Sequence, residues 1–196
     1  MGLSSLGNKE YGKIITIVKG SFTQRLRDGE EAPKGTREET RVLEKGQNAG
    51  TEVREARADA LENNIIESAE FVENMFGTNF ILHMIDESEE RFDLQLPIES
   101  QFYKQFVKRI DNLDMSKTVT FVLGKETKGE NSRSFMYLLQ DGQSVKMAHT
   151  KDNPNGMPPP EQKEVRGKVT WDWSAQEEWL DKKAEEFVTV LRDGTE

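Results

Sequence analysis

The spacing of hydrophobic and polar residues predicts a chain built mainly from β-strands. Residues 12–26 are rich in β-branched side chains, and their imperfect alternation with polar residues predicts one long N-terminal strand. Gly20 interrupts this run, which indicates either a β-bulge or the close approach of another backbone segment. The segment 53–76 gives mixed signals, because alanine and glutamate favour a helix whereas Asn63-Asn64 would interrupt one. We interpret it as two strand-like pieces.

The clearest strand patterns lie between residues 77 and 150. The stretch "GTNFILHMID" predicts a buried strand, and "ERFDLQLPI" predicts its hairpin partner after an acidic turn. The stretch "KTVTFVLGKE" predicts a further strand with an apolar residue at every second position. A last hairpin is predicted in "SRSFMYLLQDGQSVKMAHT", where Asp141-Gly142 has the composition of a two-residue turn.

Two amphipathic helices are predicted in addition to the strands. The first follows Ser100, a residue type that favours the N-cap position. Its apolar face is formed by Phe102, Phe106, Val107 and Ile110. The second begins near Ser174, which has the spacing of a capping box with Glu177. Its apolar stripe is formed by Leu180, Phe187, Val188 and Leu191.

These elements predict the domain organisation and the fold class. We expect residues 1–173 to form one domain and residues 174–196 to form a C-terminal amphipathic helix with a short tail. Residues 28–52 are charged, glycine-rich and poor in large apolar side chains, so they predict a flexible loop. Residues 53–150 have the order β-β-β-α-β-β, which is that of an OB-fold. Other small β barrels and sandwiches share this order.

The predicted fold class is therefore mainly β. We expect an OB-like antiparallel barrel with one internal helix, an N-terminal strand extension and a C-terminal helix.

Charge is distributed unevenly along the chain. The formal net charge is -9, which argues mildly against a nucleic-acid-binding protein. Residues 9–27, however, contain five cations and one carboxylate, a formal charge of +4. Because binding to phosphates requires local rather than total positive charge, this segregation favours an anionic partner.

Composition and motifs argue against several other classes of protein. The chain has no cysteine, so disulfides and thiolate chemistry are excluded. No apolar run approaches the roughly 20 residues of a membrane span, and the N-terminus lacks the apolar region of a secretory signal. We expect a cytoplasmic protein without membrane contact. Phosphate-loop, EF-hand and metal-ligand patterns are absent or broken, so no enzyme activity, catalytic residue, metal or cofactor is predicted.

Scattered residues resemble those of a known family. The stretches "FILHMIDESEERFDLQLPI", "FYKQF" and "NLDMSK", followed by "SFMYLLQDGQSVKM", resemble bacteriophage single-stranded-DNA-binding proteins of OB-fold type. The resemblance is one of layout and covers residues 53–173. It implies sequence-tolerant binding of single strands during phage replication, recombination or repair, in the host cytoplasm. The acidic C-terminal tail by which such proteins recruit partners is not recognisable in the final "RDGTE".

Binding of single strands needs cations for phosphates and aromatic faces for bases, and several residues fit these roles. The predicted nucleic-acid-binding residues are Lys13, Lys19, Phe22, Arg25, Arg27, Arg54, Arg57, Arg133, Tyr137 and Lys146. A single aromatic residue is more often part of a core than a stacking platform, which applies to Phe22 and Tyr137. Trp171 and Trp173 could also stack bases, but we favour a role in seating the C-terminal helix.

The sequence therefore predicts a non-catalytic protein that binds single-stranded DNA. Other replication proteins and a second copy of the chain are further candidate partners. The alternative is a protein-interaction or virion structural module that adds a strand to a neighbouring sheet. A nuclease is a third class, and it would need a divalent metal.

Overall fold

The computed structural model describes residues 12–44, 48–128, 131–165 and 167–194. The described residues confirm a mainly β chain with two α-helices. The strands are β1 (Lys13–Val18), β2 (Ser21–Arg25), β3 (Arg37–Val42), β4 (Glu52–Ala58), β5 (Ala60–Asn74), β6 (Gly77–Ile85), β7 (Arg91–Pro97), β8 (Val119–Lys128), β9 (Asn131–Gln140), β10 (Gln143–Ser144), β11 (Glu161–Val165) and β12 (Lys168–Asp172). The helices are α1 (Gln101–Val107) and α2 (Ser174–Asp193), with a 3-10 turn at Ile110–Asn112. Lys9, Glu10 and the last two residues of the predicted tail lie outside the described residues.

Ten of the strands form one sheet in the order β10-β9-β8-β5-β6-β7-β1-β2-β4-β3. Within this sheet β1 and β7 run parallel, and the other pairs are antiparallel. Only Asp59 separates β4 from β5 in the chain. Paired strands lead from β5 through β6, β7, β1 and β2 to β4, and β4 is joined to β5 in the chain. The sheet must therefore curve so that β4 lies close to β5.

The N-terminal segment is a hairpin, so the prediction of one long strand extension is wrong. The chain reverses at Lys19 and Gly20, both of which have positive φ, and Val18 pairs with Ser21. This is the geometry of a two-residue hairpin turn, and Gly20 is a turn residue instead of a bulge. The sequence does not predict this turn, because Lys19 occupies a turn position with positive φ and a residue with a side chain rarely adopts positive φ. The hairpin joins the sheet through the pairing of β1 with β7.

Residues 28–52 contain a regular strand, which corrects the prediction of a loop throughout this segment. Strand β3 pairs with β4 over six residues, although its side chains are mostly exposed. Ion pairs link the two strands where apolar contacts are few: Arg41 with Glu55 at 2.6 Å and Arg54 with Glu38 at 2.7 Å. Because charged cross-strand pairs carry the contact, hydrophobic periodicity does not reveal this strand.

Other predictions made from local sequence are confirmed. The segment 53–76 is strand in two pieces, β4 and β5, with a register irregularity and a positive φ at Asn63. Asp141 and Gly142 both have positive φ and form the turn between β9 and β10. Ser100 caps α1, because its hydroxyl accepts a hydrogen bond from the Tyr103 N–H at 3.1 Å.

The core is a cluster of apolar side chains between the sheet and the two helices. Phe106 of α1 lies at its centre, and its ring packs against Phe80, Phe121 and Phe187 at centroid distances of 5.9, 6.3 and 5.8 Å. These three residues belong to β6, β8 and α2. A single residue of a two-turn helix therefore joins the inner strands to the C-terminal helix.

The C-terminal helix docks on this core, as its apolar stripe predicts. Leu180 and Phe187 are buried, whereas Val188 and Leu191 are partly buried against the same cluster. The predicted capping box does not form. Instead, Asp172 Oδ1 accepts hydrogen bonds from the backbone N–H and the hydroxyl of Ser174, at 2.9 and 2.6 Å.

Replacing Phe187 with alanine should test how strongly α2 is attached. The lost contacts with Phe106 and the remaining cavity should lower the free energy of unfolding by about 3–5 kcal/mol, measured by urea denaturation. Val190→Ala is the matched control on the same helix, because Val190 is 64% exposed and its truncation should change stability by no more than about 0.5 kcal/mol. Equal effects of the two substitutions would contradict the docked arrangement.

Candidate functional site

One side of β9 is held against α1 by buried polar contacts. Gln105 Oε1 accepts a hydrogen bond from the Met136 backbone N–H at 2.7 Å. Arg109 donates from Nε to the carbonyl of Val145 at 3.0 Å, and from its guanidinium to the carbonyl of Gln105 at 2.6 Å. Gln105 and Arg109 are both buried. These contacts satisfy polar groups at the edge of the sheet and fix the distance between the helix and the strand.

A groove of about 590 Å³ lies above this contact, bounded by α1, β9 and the start of α2. Lys104 and Lys108 line it from α1, and they share a face because four residues separate them. Arg133 lines it from β9, and Arg109 lies at its floor. With the carboxylates Glu126 and Glu177 included, the lining carries a formal charge of +2, in contrast to -9 for the chain.

Aromatic rings line the same groove. Phe135 and Tyr137 project from one face of β9, two residues apart, and their rings meet edge to face at a centroid distance of 4.8 Å. Tyr137 is 44% exposed, and Trp173, at the opposite wall, is 47% exposed. Exposed aromatic faces beside cations are the combination that binding of single-stranded nucleic acid requires.

The cations of the groove are crowded together. Burial lowers the pKa of Lys108, and the neighbouring charges of Lys104 and Arg133 lower it further. Burial also lowers the pKa of Arg109. Lys104 pairs with Glu177 at 2.6 Å, but within the described ranges no carboxylate forms an ion pair with Lys108 or Arg109. The described residues therefore leave part of the positive charge of the groove without an ion-pair partner.

The structure brings two of the residues predicted from sequence to the groove. Arg133 and Tyr137 line the groove. Lys19 lies in the β1–β2 turn, which approaches β9: a Cβ added to Gly20 would lie 3.4 Å from Ser134 Oγ. The turn that carries Lys19 is therefore close to the start of β9, but on the opposite face from the groove, because Ser134 alternates with Arg133 and Phe135 along the strand.

Two of the predicted residues are buried away from solvent, which corrects their assignment to a binding surface. Phe22 is 2% exposed and belongs to the apolar core, so its ring faces no base. Arg57 is also buried and pairs with Glu55 and Glu39, at 3.0 and 3.1 Å. Burial raises the pKa of Glu55, but hydrogen bonds from Arg41 and Arg57 outweigh it and lower that pKa below its usual value. These charges stabilise β3 against β4.

The remaining predicted cations are dispersed. Lys13 pairs with Glu90, and Arg54 pairs with Glu38 at 2.7 Å. Exposed Arg25 and Arg27 lie at the end of β2 opposite Lys19, because the hairpin separates cations that are neighbours in the sequence. Lys146 follows β10 outside the groove.

Sequence reasoning missed Lys104, Lys108 and Arg109. The four-residue spacing of the two lysines places them on one face of the predicted helix and could have indicated a basic stripe. Which strand faces that stripe depends on the tertiary contact between Gln105 and Met136, for which the sequence carries no local signal.

Comparison with protein families, with curated proteins and with solved structures finds no significant match to this chain. Among the described residues, no three His, Asp or Glu side chains are grouped so that they could hold a metal ion. In the same part of the chain, neither helix combines the length and apolar character needed to cross a bilayer.

Replacing Gln105 with alanine should show whether its contact with β9 holds the groove together. The buried Met136 N–H would lose its acceptor, and the free energy of unfolding should fall by about 1–3 kcal/mol in urea denaturation. Gln101→Ala removes the same amide from the same helix. Its side chain forms no hydrogen bond within the described residues, so we expect a change of no more than about 0.5 kcal/mol. Hydrogen exchange at Met136 should accelerate only in Gln105→Ala; unchanged protection would contradict this role.

Proposed function

We propose that this protein binds single-stranded DNA without catalysing a reaction on it. The observation that carries the proposal is the groove between α1 and β9, where Lys108 and Arg133 lie beside the exposed ring of Tyr137. The proposed setting is phage replication, recombination or repair in the host cytoplasm, which rests on the resemblance described above.

The chemistry of the groove suits a sequence-tolerant ligand. Phosphates would relieve the mutual repulsion of Lys104, Lys108 and Arg133, because they add negative charge to a lining whose formal charge is +2. Bases would stack on Tyr137, and every base offers an aromatic face irrespective of its identity.

The strand pairing supports an OB-like arrangement as the finer description of the fold. β5 pairs with β6 and β8, β6 with β7 and β8 with β9, while α1 lies in the chain between β7 and β8. This is the connectivity of a five-stranded OB-fold up to the final contact between its third and fifth strands. Here β7 pairs with β1 instead, so we propose an OB-like barrel whose opening is supplemented by the N-terminal hairpin.

The proposed groove differs from the face that OB-folds generally use, which is formed by the second and third strands. Those strands correspond to β6 and β7. Their outer face carries His83, whose Nδ1 lies 2.7 Å from Asp93 Oδ1 and whose Nε2 lies 3.1 Å from Glu70 Oε1. Two carboxylates at this position repel phosphate, which favours the groove at β9.

The alternative, a module that binds proteins by strand addition, also has a specific observation in its favour. β10 pairs only with Leu139 and Gln140 of β9, while the Val145 N–H and the Gln105 side chain bond to Leu138 and Met136. Among the described residues, only the start of β9, before Met136, therefore has an edge without a partner on this side. An added strand would bind through backbone hydrogen bonds, which respond weakly to salt. Binding to phosphates weakens steeply with salt because counterions are released. The salt response therefore distinguishes the two functions.

Removing two groove cations should flatten the salt dependence of DNA binding. We expect Lys108→Ala combined with Arg133→Ala to reduce the slope of log affinity against log salt by about 1.4, since each phosphate contact on a single strand contributes about 0.7. The slope is measured by fluorescence anisotropy of a labelled oligothymidine.

Arg25→Ala combined with Arg27→Ala is the charge-matched control, because both cations are exposed and lie away from the groove. We expect its slope to equal that of the unmodified protein. A flattened slope in the control alone would move the interface to the N-terminal hairpin, and the absence of binding at low salt would refute the proposed function.

A further inference from the structure

The hairpin formed by β11 and β12 stands apart from the main sheet. Its two strands pair with each other and, within the described residues, with no other strand. Every described side chain of the hairpin is exposed except that of Asp172, which is half-buried. A two-stranded hairpin alone is marginally stable in water. A hairpin of this kind gains stability when a ligand covers one of its faces.

One face of the hairpin carries an exposed apolar row. Val169 and Trp171 alternate along β12 and point to the same side, and they are 63% and 56% exposed. Trp173 follows two residues later and continues the row. The opposite face carries the ion pair between Lys163 and Asp172. The apolar row is therefore confined to β12, with Gln162 and Glu164 of β11 beside it on the same face, and it packs against no other strand among the described residues.

This row leads directly into the candidate groove. Trp173 is the last member of the row and also part of the groove wall, beside Glu177 and Gln176. The backbone position of Trp173 is constrained because its two neighbours in the chain are bonded to each other: Asp172 accepts hydrogen bonds from Ser174 at the start of α2. Hydrogen bonds from Lys163 and Ser174 lower the pKa of Asp172, so this anchor stays ionised at neutral pH.

We infer that the β11–β12 hairpin is an arm that extends the single-strand site beyond the groove, with Trp171 and Trp173 as stacking platforms for successive bases. The inference rests on the proposed function. DNA is the occupant to which these features point, because the row is continuous with a cationic groove and ends in two flat indole rings.

The intrinsic fluorescence of the protein can test this arm directly. The chain has three tryptophans, and the third, Trp179, is partly buried and packs against His149 at a centroid distance of 4.6 Å. Titration with an oligothymidine of about 16 nucleotides, the upper end of site sizes for one OB-fold, should quench the fluorescence. Trp171→Phe should reduce the quenched fraction, whereas Trp179→Phe, the matched control, should leave the quenched signal unchanged.

Affinity provides a second measurement. Trp171→Ala should weaken binding of this oligothymidine by about 5- to 140-fold, which corresponds to the 1–3 kcal/mol typical of one stacked base. The slope of log affinity against log salt should stay unchanged, because stacking releases no counterions. Trp171→Phe should retain most of the affinity. An oligothymidine of about 4 nucleotides, which fills only the groove, should bind Trp171→Ala and the unmodified protein equally well.

These measurements distinguish failure of the inferred arm from failure of the proposed single-strand binding. If the unmodified protein binds the longer oligothymidine but Trp171→Ala changes neither affinity nor quenching, the arm does not contact DNA and the inference is wrong. If the unmodified protein binds no oligothymidine at low salt, the proposed function fails and the inference fails with it. Circular dichroism should show that every variant is folded, because Trp171 is exposed and Trp179→Phe keeps an aromatic ring at the partly buried position.

Discussion

The packing of Phe106 against Phe80, Phe121 and Phe187 is the contact on which the arrangement of the candidate functional surface depends. Helix α1 has only seven residues and is too short to be stable without tertiary contacts. Once Phe106 is buried, the rotation of this helix is fixed. Gln105 then meets the edge of β9, and Lys104 and Lys108 face the groove. A core contact thereby determines where positive charge is displayed.

The positive charge of the groove is energetically unfavourable in the protein without a ligand. Lys108 is partly desolvated and lies near two other cations, a combination that disfavours its charged form. Arg109 is buried on backbone carbonyls, with no carboxylate partner in the described ranges. A polyanion would relieve both penalties. Sites that are unfavourable without their ligand are typical of functional surfaces, and this is the physical basis of the proposed binding of single-stranded DNA.

Sequence patterns predicted the elements that depend on local chemistry. Ser100, Asp141-Gly142 and the apolar alternation of β8 each carry their own signal, and each is found as predicted. The turn at Lys19 was not predicted because lysine rarely adopts positive φ. Strand β3 was not predicted because ion pairs to β4, which leave no hydrophobic pattern, stabilise it. Tyr137 and Arg133 were predicted from strand alternation alone. The groove that unites them with α1 arises from tertiary contacts, and no local pattern could specify it.

Photochemical crosslinking tests the central claim most directly, because it reports which residues touch the bases. An oligothymidine in which single bases are replaced by 5-iodouracil would be bound, irradiated and digested, and the crosslinked peptides identified by mass spectrometry. The account predicts crosslinks at Tyr137 and at Trp171 or Trp173, on the groove and the arm. Crosslinks confined to the outer face of β6 and β7, or to the exposed Phe76 at the β5–β6 turn, would contradict it.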